Sequence, residues 1–289
     1  MTNSWPLLSV REDRPLDAEA TAILTAVARG LTATACPYFL VGAMGRDLLL
    51  VHVFGRPVYR ATQDFDFGVA VESWDRFEAA TQALIHEGFV EHPMITHRLL
   101  FQRRGWEHSI PIDIIPFGGV ASPEGVLAWP PKADFIMTVA GFAEALSAAV
   151  HVRSRDGLTI PVASLAGLTL LKLFAWRDRQ AHNAKDAADL YLIMSNYADA
   201  GNIDRLYGGE LHHLEATGFD LETAGARLLG RDTSSLCNSS TRAMLAALLA
   251  DATAMDRLVD QMSHGWVDEA HRLVVLRDLN EFRAGFALA

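Results

Sequence analysis

The segment Asp64-Phe65-Asp66-Phe67-Gly68-Val69-Ala70-Val71 constrains this chain more than any other. Asp alternates strictly with Phe over its first half. A period of two suits a β-strand and not a helix. In a strand both aspartates share one face and both phenylalanines the other. One face therefore needs a core, while the other carries neighbouring carboxylates. Such carboxylates repel each other and are costly to bury uncompensated. A divalent cation removes that cost, and oxygen donors of this kind suit Mg²⁺ shared with substrate phosphates. Taken alone, the pair fits a solvent-facing strand edge equally well.

Asp113 shifts the balance. It is the one charge in Ile110-Pro111-Ile112-Asp113-Ile114-Ile115-Pro116, which otherwise reads as an apolar strand. Burying an unpaired carboxylate costs several kcal/mol, so a charge at this position needs a partner. If this strand lies beside the first, Asp64, Asp66 and Asp113 converge. A carboxylate triad can hold two metal ions about 3.5–4 Å apart, which orient the attacking and leaving oxygens of a phosphoryl displacement. The competing reading of Asp113 is an aspartate facing a turn.

The texture of the sequence changes near residue 160. Before it, short β-like runs alternate with helical patterns. After it, nearly everything reads as Ala/Leu-rich helix. Residues 17–30 predict a helix with Asp17 as N-cap and Gly30 as stop. Tyr38–Val41 predicts a strand ending at Gly42, followed by helix over 43–51. Residues 74–87 predict an amphipathic helix, and 97–102 and 110–116 two strands. Residues 122–131 read as a Pro/Gly loop, and 150–162 as strands about a turn at Arg155-Asp156-Gly157. Helices follow from Ser164 through Trp176, over 185–197, and near 203–216, 220–229, 239–250, 252–263 and 265–286. The expected fold class is α/β (α+β). A small mixed-sheet domain spans residues 1–160, and an all-helical domain spans 161–289.

Composition sets outer limits. Half of the residues are hydrophobic and 21% are charged, an ordinary globular balance. The formal charge is 25 − 35 = −10, which argues against a general nucleic-acid-binding surface. Cys36 and Cys237 are too few and too far apart for a zinc site or a disulfide framework and read as buried thiols. Charged residues Arg11 to Arg14 precede any long apolar run, and no stretch approaches a membrane span of roughly 20 residues. A cytoplasmic protein is expected, without membrane association. The histidines form no H-x-x-x-H or H-x-x-E-H set. His97 and His212-His213 read as surface or core residues.

A strand also runs into small residues and then a helix at Phe39-Leu40-Val41-Gly42-Ala43-Met44-Gly45-Arg46-Asp47. Small residues let a backbone approach a phosphate closely. Gly42-Ala43, then Arg46-Asp47, then Arg60-x-Thr62-x-Asp64-Phe65-Asp66-Phe67, resembles the nucleotidyltransferase signature of the DNA polymerase β superfamily. It is most similar to the AbiEii/MenT-type branch, often the toxin half of a toxin–antitoxin pair. The resemblance continues at Ile112-Asp113-Ile114-Ile115-Pro116-Phe117 and at Leu171-Lys172-Leu173-Phe174-Ala175-Trp176-Arg177. It ends at Lys185-Asp186-x-x-Asp189-Leu190, so the matching motifs run from about residue 38 to 192. The family usually has Gly-Gly or Gly-Ser in its first motif, so Ala43 departs from it and supplies no hydroxyl.

The resemblance implies a nucleotidyltransferase with two Mg²⁺ (or Mn²⁺) ions on Asp64, Asp66 and Asp113 and an NTP such as ATP as substrate. Asp113 would assist removal of a proton from the acceptor hydroxyl. Gly42, Ala43, Arg46 and Thr62 would contact the nucleotide, and Lys172 would neutralise phosphate charge. The acceptor would be RNA such as a tRNA end, a protein side chain or a small molecule, and an antitoxin protein would be a partner. Other readings stay open for several residues. Lys172 lies among Leu170, Leu171, Leu173 and Phe174 and fits a snorkelling flank of a core helix. Arg46 fits a salt bridge to a carboxylate, and Asp186 and Asp189 fit the positive end of a helix. A nucleotide-binding or partner-docking protein on the same fold, without catalysis, is the alternative function.

Overall fold

The computed structural model describes residues 6–57, 64–103, 105–131, 133, 135–181, 183–264 and 269–288. Thr62 and Arg60 lie outside the described residues. The chain divides into two compact units. The first comprises Met1–Gly55 and Tyr59–Ser164, and the second comprises Leu165–Ala289 with Arg56–Val58.

The first unit is built on a mixed sheet. In chain order it contains β1 (Leu7–Ser9), α1 (Ala18–Ala33), β2 (Tyr38–Val41) and α2 (Gly42–Asp47). A π-helical stretch over Leu48–Val53 continues α2. Then come β3 (Phe65–Val71), α3 (Trp74–His86), β4 (Phe89–Glu91), β5 (Arg98–Phe101) and β6 (Ile110–Gly118). The unit closes with β7 (Val126–Ala128), β8 (Ile136–Thr138), α4 (Phe142–Ser147), β9 (Val150–Arg153) and β10 (Thr159–Val162). The strand order is β1-β9-β10-β2-β3-β6-β5-β4. Within it β3 pairs parallel with β6, while β2–β3 and β5–β6 are antiparallel.

The alternation in Asp64–Val71 works as its period demands. Phe65, Phe67, Val69 and Val71 are buried, with Phe67 fully so. Ile112 and Ile114 of β6 and Leu99 and Phe101 of β5 continue the same apolar face. The side chains that interrupt them, Asp66, Asp113 and Arg98, are half-buried on the opposite face.

Several expectations needed correction. Asp17 does cap α1, accepting a hydrogen bond from the Ala20 amide at 2.7 Å. Gly30, however, is not a stop, because α1 continues to Ala33. A Cβ there would lie 3.0 Å from Leu84 Cδ2 and 3.2 Å from the Ala83 carbonyl. Gly30 thus marks close packing of α1 on α3. The stretch read as a loop over 122–131 contains β7, which pairs with β8 in a small separate sheet.

The second unit is all helical. It contains α5 (Leu165–Arg179), α6 (Lys185–Asn196), α7 (Ile203–Tyr207), α8 (Leu211–Ala216), α9 (Leu221–Leu236), α10 (Ser239–Ala250), α11 (Ala252–Met262) and α12 (Glu269–Phe286). The predicted helix over 203–216 is broken into α7 and α8 at Gly208-Gly209. Leu170, Leu173, Trp176, Leu190, Ile193, Leu228, Leu229, Leu279 and Phe282 form its core. The Trp176 indole donates to Gln261 Oε1 at 2.7 Å, giving a buried ring its polar partner. Both cysteines are free and buried, as expected. No helix among the described residues is long and apolar enough to cross a membrane.

Candidate active site

Strand register assembles the carboxylates. Asp66 and Asp113 are direct partners across β3 and β6. Adjacent strands lie about 4.8 Å apart, so the two side chains stand next to each other on one face. Asp64 precedes Asp66 by one strand repeat and lies on the same face, more exposed. On the other side of β3, Asp66 is opposite Val41, the last residue of β2. The chain then turns at Gly42, which has φ +66°. A Cβ on Gly42 would run into the Asp66 Oδ2 oxygen and lie 2.8 Å from its Cγ. Glycine is required there twice over, by its left-handed backbone and by the carboxylate against it. The small-residue turn and the D-x-D pair are thus one structure.

The row extends to a residue that the sequence does not mark. Arg98 is the partner of Asp113 across β5 and β6. Its guanidinium grips the Asp113 carboxylate with both prongs, Nε to Oδ1 at 2.7 Å and a terminal nitrogen to Oδ2 at 2.8 Å. Hydrogen bonding to Asp113 raises the Arg98 pKa. The charges of Asp113, Asp64 and Asp66 raise it further, against desolvation. All three carboxylates therefore act on one guanidinium. His97 lies beside the pair, with Nε2 3.9 Å from Asp113 Oδ2. Burial lowers its pKa, with Arg98 acting in the same sense and Asp113 opposing. Its ring stacks on Phe135 at 5.3 Å and 10°.

The remaining candidates fall as follows. Ala43 is half-buried in the first turn of α2. Arg46 is buried, 2% exposed, and its Nε donates to Asp47 Oδ1 at 2.7 Å. In the second unit, the Lys172 ammonium lies between Asp186 Oδ1 at 3.0 Å and Asp189 Oδ2 at 2.6 Å. Burial alone would lower the Lys172 pKa, but these two carboxylates outweigh it and the net shift is upward. Arg179 adds a 2.8 Å contact to Asp186. Asp186 and Asp189, 2% and 4% exposed, are thus buried counter-ions of Lys172, and Asp186 is also a first-turn carboxylate of α6.

Among the described residues, the one group of three or more whose ligand-type atoms all lie within 4.8 Å of one another is Glu210, His212 and His213, and Asp64, Asp66 and Asp113 are more widely spaced. His213 is fully buried and His212 exposed. Arg231 holds Glu210 by a close ion pair. Burial, followed by the His212 and Arg227 charges, pulls the His213 pKa down to about 4.

The chain matches the sequence model of the family described as "Nucleotidyl transferase AbiEii toxin, Type IV TA system" over residues 40–255. No curated protein matches it. Among solved structures it is similar to the antibiotic-resistance factor ANT(2'')-Ia, at 13% identity and a TM-score of 0.36, over 70% of this chain and 98% of that one. It is also similar to a CCA-adding enzyme in complex with CTP, at 14% identity and a TM-score of 0.32, over 96% and 67% of the two chains. A third is the Thermotoga maritima CCA-adding enzyme complexed with tRNA, at 12% identity and a TM-score of 0.26, over 96% and 83%. The family match takes in the Gly42 turn, all three aspartates and Lys172, and on that ground the chain belongs to the AbiEii nucleotidyltransferase toxin family of type IV toxin–antitoxin systems.

Proposed function

We propose that the chain transfers a nucleotidyl group from an NTP, ATP among the candidates, to an acceptor hydroxyl, using divalent cations bound by Asp64, Asp66 and Asp113. The observation that carries this reading is the shared register of Val41, Asp66 and Asp113, which puts the small-residue turn and the carboxylates in one line. The donor set is all oxygen, with Asp66 and Asp113 paired across β3 and β6 and Asp64 just before β3. Gly42 leaves the Asp66 carboxylate the room that a Cβ would take. Such a set fits a hard cation. Magnesium, or manganese in its place, supplies positive charge to the triphosphate and makes the acceptor hydroxyl more acidic.

The chain's own residues do the rest. Gly42 and Ala43 let the backbone approach the phosphates. The acceptor oxygen attacks the α-phosphorus, and the bond to the α–β bridging oxygen breaks. Pyrophosphate leaves with the bonding pair, and an Asp113 oxygen takes the hydroxyl proton. The acceptor is RNA such as a tRNA end, a protein or a small molecule. The charge of −10 weighs against a broad RNA surface. The enzyme acts in the cytoplasm, where NTPs are abundant, and an antitoxin protein is its partner.

The test offers each α-labelled NTP, with Mg²⁺ or Mn²⁺, alongside total RNA, cell extract or an aminoglycoside. Label on an acceptor that Asp66→Ala abolishes supports the reading. Tight NTP binding without transfer to any acceptor favours the non-catalytic nucleotide-binding protein.

A further inference from the structure

Arg98 sits where a cation would have to go. Its planar fork uses both oxygens of Asp113, at 2.7 and 2.8 Å, the pairing for which guanidinium is best shaped. Asp64 and Asp66 appear in neither bond. This pair occupies neither Asp64 nor Asp66, whereas a cation that ligates Asp113 meets a guanidinium already held by both of its oxygens. The pair is not locked into a core. The Arg98 side chain is 29% exposed and that of Asp113 16%, and Arg98 is the first residue of its strand. The same fork fits phosphate oxygens as well as it fits a carboxylate.

We propose that Arg98 competes with a divalent cation for Asp113, and that the NTP ends the competition by drawing the guanidinium onto its phosphate oxygens. This rests on the nucleotidyltransferase reading of the same aspartates. The first cation then binds at Asp64 and Asp66 without nucleotide. The second reaches Asp113 only with the triphosphate, and Arg98 becomes a nucleotide-positioning residue. The order has a chemical use: Asp113 becomes free to ligate and to take a proton only when a phosphoryl group is present to react.

The test counts Mn²⁺ bound to the full chain by the loss of the free-ion paramagnetic resonance signal. The probe nucleotide is an NTP whose α–β bridging oxygen is replaced by a methylene group. Without nucleotide, the wild-type protein should bind one Mn²⁺ at the cluster and Arg98→Ala two. The second-ion Kd should tighten by roughly ten- to a hundredfold. Arg98→Lys, which cannot fork across both oxygens, should fall between them and guards against misfolding of the alanine variant. With the probe nucleotide, the wild type should bind two ions. Two ions on the wild type without nucleotide, or one on both Arg98 variants with native melting, would overturn the proposal. If Asp66→Asn leaves Mn²⁺ binding unchanged, the metal reading of the aspartates fails instead.

Discussion

Gly42→Ala tests the joint between the turn and the carboxylates. At φ +66° an L-residue pays about 1 kcal/mol for the left-handed backbone. The new methyl also meets the Asp66 carboxylate, with Cγ 2.8 Å and Cβ 3.1 Å away. The β3 backbone has little freedom to retreat, because Phe65 and Phe67 on either side of Asp66 are 3% and 0% exposed. The strain therefore falls on the Asp66 side-chain torsions, at about 0.5–1.5 kcal/mol. A total of roughly 2 kcal/mol should appear in denaturant unfolding. Displacing a carboxylate by about 1 Å at a reaction centre should cost on the order of a hundredfold in kcat/KM. In the Asp66→Ala background the same substitution should cost only its backbone part, about 1 kcal/mol. Ala43→Gly, at a position without positive φ, should leave activity within a few-fold. Wild-type stability and transfer rate for Gly42→Ala would refute the packing argument. So would an equal penalty with and without Asp66.

Two further outcomes follow from buried charges. Lys172→Met removes the cation shared by Asp186 and Asp189, which are 2% and 4% exposed, while Arg179 stays on Asp186. It should lower unfolding stability by about 3–5 kcal/mol, with Lys172→Arg recovering part; a loss below about 1 kcal/mol would show that the carboxylates find other compensation. His213 has its folded pKa pulled down to about 4, below the ordinary value of 6.5. The unfolded chain therefore takes the proton first, and stability is full above about pH 6.5 and falls towards pH 4. The curve should drop relative to His213→Gln by roughly 3 kcal/mol across that window; parallel unfolding curves for the two proteins would contradict the buried neutral imidazole.

Much of the candidate site's geometry was legible because its signals are local. Period two alone placed Asp64 and Asp66 on one face, and an isolated charge in an apolar run flagged Asp113. The features that stayed hidden depend on contacts between separate segments. Arg98 faces Asp113 only through the β5–β6 register, and a lone arginine at the start of a short strand has no pattern of its own. The Lys172 clamp joins α5 to α6, so the sequence offered a phosphate contact by resemblance and a snorkelling flank by its leucines, and not the clamp. Gly30 resembled a helix stop because the sequence does not reveal the neighbouring helix that needs its missing side chain. The β7–β8 pair was hidden by the Pro/Gly content around it.

The central claim is nucleotidyl transfer at the Asp64–Asp66–Asp113 row, and the fate of the two ends of the NTP tests it most directly. An NTP carrying one label on the α-phosphorus and another on the γ-phosphorus should leave the α-label on the acceptor. The γ-label should depart as pyrophosphate, in equal amount, and both signals should vanish in Asp66→Asn. Appearance of the γ-label on the acceptor or as inorganic phosphate, or transfer undiminished in Asp66→Asn, would contradict it.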